Sequence, residues 1–111
     1  MSDLEDLRST AKEAERKREW ETASRLWAAV VAASPAPAFW DRYFAVRATL
    51  RAGRIVEAFN RLCLLEIVPG READWAMLRA EVEERRGHDT EAVEWWRKAA
   101  DLLPDPYWAL F

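Results

Sequence analysis

The feature that most restricts how this chain can fold is an internal period of 34 to 35 residues. Segments 20–35, 54–69 and 89–104 align, and their closing prolines, Pro35, Pro69 and Pro104, stand 34 and 35 apart. Ala23, Ala58 and Ala92 repeat at 35 and 34, and four residues after each comes a large apolar side chain: Trp27, Leu62 and Trp96. Gly53 and Gly87, which precede the second and third segments, are again 34 apart. A second ladder, Ala11, Ala45 and Ala80, repeats at 34 and 35 in step with the prolines. A fixed period of this length marks a supersecondary unit that cannot bury its apolar face alone and stacks on copies of itself.

Each marker has a physical role in a helical unit. Alanine lets two helices approach closely, and the following aromatic or leucine fills space toward the next repeat. Proline lacks a backbone donor and clashes with the preceding turn, so it closes the second helix. Glycine takes the left-handed conformation that commonly ends the first. With only three glycines and abundant Ala, Leu, Glu and Arg, the chain is predicted to be all-α. The expected helices cover about 3–18, 20–33, 37–51, 54–67, 71–86 and 89–102. Ser2 with Glu5 forms a capping-box pattern, Pro37 suits a first helical turn, and Asp89 suits an N-cap.

The sets Ala23/Trp27/Pro35, Ala58/Leu62/Pro69 and Ala92/Trp96/Pro104 resemble the signature of the tetratricopeptide repeat, a helix–turn–helix unit of about 34 residues. The resemblance covers about residues 4–104, as repeats 4–36, 37–70 and 71–104 of a single domain with a tail, 105–111. It is weaker in the first helix of each unit. Trp40-x2-Tyr43 and Trp75-x2-Leu78 fall one residue earlier than the family places its tryptophan, and the first repeat offers only Leu4 and Leu7. The family implies an α-solenoid of three antiparallel hairpins whose first helices line a concave face, a surface suited to a peptide or a partner helix. Its concave positions map to Lys12, Val46 and Glu81, and to Arg8, Arg42 and Met77, flanked by Phe39, Thr49, Asp74 and Glu84. Such a groove would be basic in the first repeat, mixed in the second and acidic in the third. The carboxylate clamp of chaperone-binding members would fall on Arg8, Lys12, Tyr43, Asp74 and Leu78. Only two basic residues are kept there, and Asp74 would repel a carboxylate, so that activity is not expected.

Seven tryptophans are present, and Trp20, Trp27, Trp40, Trp75 and Trp96 occupy repeat landmarks and read as core. Trp95 and Trp96 are neighbours on one helix and cannot face the same way. Trp95 is assigned to the end of the stack together with Tyr107, Trp108 and Phe111. That aromatic end either folds back as a cap or forms an interface for a partner or a second copy.

Other function classes find little support. A net charge of −3 gives no basic field for nucleic acid. No apolar stretch approaches the roughly 20 residues of a membrane span, and the charged N-terminus lacks the apolar segment of a signal peptide, so a cytoplasmic protein is expected. Cys63, the single cysteine, lies in the apolar run 62–65 and reads as a buried thiol. His88 has no Cys or second His to complete a metal site. No nucleophile arrangement or phosphate-cradling glycine loop appears, so neither catalysis nor a cofactor is expected. Arginine outnumbers lysine 14 to 3, the bias of a GC-rich, bacterial coding sequence. The expected role is an adaptor, scaffold or chaperone-like module that holds a protein or peptide partner. The alternative is a structural or accessory subunit, attached to a larger bacterial enzyme or a secretion or envelope assembly, that self-associates through its apolar end.

Overall fold

The computed structural model describes residues 3–103, which form six helices and no strand. They are α1 (Asp3–Arg16), α2 (Trp20–Ala33), α3 (Phe39–Arg51), α4 (Ile55–Cys63), α5 (Glu72–Arg85) and α6 (Asp89–Leu102). The capping pattern at Ser2, the closing Pro104 and the tail with Tyr107, Trp108 and Phe111 lie outside the described residues. The chain groups into two compact units, the first ending at Glu66 and the second beginning at Ile67.

The period seen in the sequence reappears as a backbone turn built three times. After α1, α3 and α5 the amides of Glu19, Arg54 and His88 bond the carbonyls five residues back, on Ala14, Thr49 and Glu83, at 2.9–3.1 Å. The amides of Arg18, Gly53 and Gly87 bond the carbonyls three residues back, on Glu15, Leu50 and Glu84. This double bond pattern is the Schellman closure, which needs a left-handed residue where the second donor stands. Gly53 and Gly87 supply it at φ 90° and 82°. The first turn uses Arg18, at φ 59°, in the same register. A non-glycine residue there carries strain from its Cβ, roughly 1–2 kcal/mol, partly offset by the greater chain entropy glycine loses on folding. Arg18→Gly is therefore expected to stabilise the first unit by about 0.5–1 kcal/mol. A denaturation midpoint that stays put or falls would show that this turn is unstrained.

All six ladder alanines, Ala11, Ala45, Ala80, Ala23, Ala58 and Ala92, are buried. In the first unit Ala11, Ala14, Ala23, Trp27, Val30, Ala45 and Ala48 form one cluster, with Leu4, Leu7 and Phe44 packed against it. The rings of Trp27 and Phe44 lie 5.0 Å apart, tilted, and tie α2 to α3. In the second unit α5 buries Ala76, Leu78, Ala80 and Val82, and α6 buries Ala92 and Ala99.

Several local expectations need correction. α4 ends at Cys63 rather than 67, and Leu64 and Leu65 close it with short bonds to the carbonyls of Arg61 and Leu62. The following Ile67 and Val68 are β-branched, and Pro69 disfavours helical geometry at Val68, so nothing there favours one further turn. Cys63 is exposed, because it stands about 100° around the helix from the buried Leu62. Pro37 precedes α3 by two residues instead of starting it, and Asp89 is the first residue of α6 behind His88. Trp96 is 40% exposed although its register mate Trp27 is buried. Trp95, which the sequence placed at the end face, turns inward with its ring 5.4 Å from Trp75.

Candidate functional site

In the first unit, shortening α4 leaves a recess of about 150 Å³ between α2, α3 and the residues following α4. Val31, Ala45, Val46, Leu64 and Leu65 line it, and Arg42 and Arg61 are its polar members. Two helices contribute with the same spacing. On α3, Arg42 stands one turn before Ala45 and Val46; Arg61, in the last turn of α4, precedes Leu64 and Leu65 by the same three and four residues. On α3, residues three and four apart share a helix face, so Arg42 stands beside Ala45 and Val46; at the end of α4, the closing turn puts Leu64 and Leu65 into the same recess as Arg61.

The recess has the volume of a cavity that holds one benzene-sized group. Val46 and Leu65 are buried in its wall, whereas Leu64 is 74% exposed and forms an apolar lip. Arg42 is exposed; its backbone amide donates to the Ala38 carbonyl, and its guanidinium has no hydrogen bond or ion pair among the described residues. Arg61 donates to Glu57 at 3.1 Å across one helical turn. Both members of that pair are more than a third exposed, so it contributes about 0.3–0.5 kcal/mol, and the guanidinium can be redirected at little cost.

Two of the expected groove residues, Arg42 and Val46, thus meet at one site. The others are placed differently. Arg8 is not available as a basic groove residue, because Asp41 grips it at both ends: Nε donates to Oδ1 at 3.0 Å and Nη2 to Oδ2 at 2.7 Å. Those bonds hold the Arg8 pKa above its ordinary value, and Asp41 is itself buried. Lys12 is exposed, and Phe39 is half-buried against Trp40 and Tyr43, at 5.2 and 5.8 Å. Thr49 lies in the core rather than on a surface. Its hydroxyl donates to the Ala45 carbonyl at 2.7 Å and accepts from Ser24 at 2.7 Å, while Arg54 donates to Ser24 at 2.6 Å. A hydroxyl has one proton, so the donors run in one direction, from Arg54 through Ser24 and Thr49 to the carbonyl. Asp74, Met77 and Glu81 are half-buried on α5 in the second unit.

A second polar centre lies at the turn between α5 and α6. Glu83 is fully buried, and Arg86 donates to its Oε1 at 2.8 Å while Arg79 stands 3.3 Å from the same oxygen. Its Oε2 lies 2.8 Å from Nδ1 of His88. Burial alone would push the Glu83 carboxyl up, but the bonds from His88 and Arg86 and the charges of Arg86 and Arg79 outweigh it and hold the carboxyl below its ordinary value. One ligand atom each from Glu83, His88 and Glu91 falls within 4.8 Å of the other two. Two guanidiniums already neutralise Glu83, which makes this a structural ion network at the helix closure and a poor cation cradle.

The sequence reading missed Arg61, Leu64, Leu65 and Val31, although the Arg-x2-apolar-apolar pattern at positions 42 and 61 is visible in it. It also missed Glu83, since a buried glutamate inside the charged run 81–86 carries no local mark. No helix among the described residues is long and apolar enough to cross a membrane. Compared with protein-family models, with curated proteins and with solved structures, the chain matches none.

Proposed function

We propose that this chain is a non-catalytic protein-interaction module of tetratricopeptide type, an α-solenoid acting as adaptor or scaffold. The thrice-built Schellman turn and the six buried ladder alanines support the repeat reading. The observation that carries the function is the apolar recess with the exposed Leu64 at its lip and two arginines on its rim. Apolar pockets with a few placed polar groups are where proteins hold anchoring side chains of a partner. In this reading the recess takes one apolar side chain of a bound protein segment, rather than a whole helix lying along a concave face.

Panning a random 12-residue display library on the chain tests it. Peptides retained by the wild type should be lost on Leu64→Asp, which places a charge at the lip and disturbs no buried group. A variant that retains the same peptides would remove the recess from the function.

A second reading, self-association, is favoured by Val93 and Trp96, exposed one turn apart on α6. In the register of the repeat they correspond to Ser24 and Trp27 of α2, which are buried. Light scattering decides it: a monomer at working concentration leaves this reading without support.

A further inference from the structure

We infer that the segment held by the recess is acidic as well as apolar: a leucine- to phenylalanine-sized side chain flanked within the chain by Asp or Glu. The inference rests on the recess reading above and adds the chemistry of the occupant. The recess volume of about 150 Å³ limits the inserted group to one side chain of that size. The charge of the rim then selects what stands beside it.

Most arginines of the first unit already have work. Arg8 is held by Asp41, Arg47 by Glu15, Arg54 by Glu21 and Glu57, and Arg51 lies over the ring of Trp20 at 5.0 Å. Arg42, like Arg18 and Arg25, has no acidic or aromatic side-chain partner among the described residues, but of these three it is the one that lines the apolar recess. Among the described residues Arg61 is held only by a neighbour on its own helix, Glu57, which Arg54 also engages at 3.1 Å. A carboxylate arriving from a partner can take Arg61 and leave Glu57 paired. In a chain whose net charge is −3, this local excess of positive charge is set against the overall sign. Guanidinium forks match carboxylates with two parallel bonds and are less strongly hydrated than ammonium groups, which suits them to a partly desolvated rim.

The two arginines come from different helices, so an inserted side chain has a guanidinium from each beside it. A segment with acidic side chains on both flanks of the apolar residue satisfies both. A chain terminus, with a single backbone carboxylate, satisfies one.

Fluorescein-labelled peptides from the panning, and copies with each Asp and Glu changed to Asn and Gln, are titrated onto the full chain by anisotropy. The acidic peptides should bind roughly tenfold more tightly than the amide copies, as expected for loss of a charged hydrogen bond. Arg42→Glu should erase that difference and favour copies carrying Lys, whereas Arg42→Lys should retain part of it. The Arg42 side chain is exposed and has no partner among the described residues, so these variants keep the fold, which circular dichroism checks. Amide copies that bind as tightly as the acidic ones, while Leu64→Asp still abolishes binding, would overturn the acidic requirement and leave the recess reading intact. Peptides that bind Leu64→Asp as well as the wild type would overturn both.

Discussion

Glu83→Ala is expected to destabilise the second unit by about 1.5–3 kcal/mol, through loss of charged hydrogen bonds to a buried carboxylate. The glutamate is fully buried and faces Arg79, Arg86 and His88. Removing it takes away the carboxylate that both guanidiniums share, at side chains 21% and 31% exposed, and strips the His88 ring of its 2.8 Å partner. Glu84, its exposed neighbour, is the control, and its replacement should cost no more than about 0.5 kcal/mol. The near-ultraviolet signal of the Trp75–Trp95 pair, whose rings lie 5.4 Å apart between α5 and α6, reports unfolding of this unit. Equal losses for the two alanine variants would show that the ion network contributes nothing to stability.

The same network sets an acid limit. Because the folded-state pKa of Glu83 lies below the ordinary 4.5, its contribution is present above that value. It is lost as pH falls through the folded-state pKa, since the unfolded chain then binds the proton more readily. The stability difference between the wild type and Glu83→Gln should therefore be constant near neutral pH and shrink below about pH 4.5. A difference that is flat through the acid range would mean that this carboxylate is not held ionised by its partners.

The other large effect contrasts two residues that the repeat makes equivalent. Trp27→Ala is expected to cost about 3–5 kcal/mol, enough to unfold the first unit at moderate temperature. Trp27 is 1% exposed, lies in the main cluster and packs on Phe44. Trp96 holds the same place in the third repeat but is 40% exposed, so Trp96→Ala should cost well under half as much. Denaturant titrations of the two variants measure this directly. Comparable losses would mean that Trp96 is covered in solution, the outcome expected if a second copy or a partner seats on α6.

The sequence by itself determined the helical class, the number of helices and the places where the chain turns. These follow from local chemistry: alanines at fixed spacing, apolar positions on one helix face, and glycines at 53 and 87 that take the left-handed conformation at no steric cost. α2 and α6 begin and end where the pattern placed them, because their limits are set by the turn before and the proline after. Part of the site was also legible, in Arg42 and Val46 on the first helix of the second repeat.

What remained depends on which groups meet across the fold, and periodicity is silent about that. Arg8 looked like an available basic residue until Asp41, 33 positions away, closed on it. Thr49 looked like a groove residue because α3 carries it near the expected face, yet the hydroxyl of Ser24 draws it into the core. Trp95 and Trp96 share one chemical character, and only packing against Trp75 decided which faces inward. The recess itself exists because α4 stops at Cys63 and turns Leu64 and Leu65 toward α3. A helix end of that kind is settled by a balance of small terms, weak local propensity against the burial of Leu65, and only the tertiary structure carries the second of them.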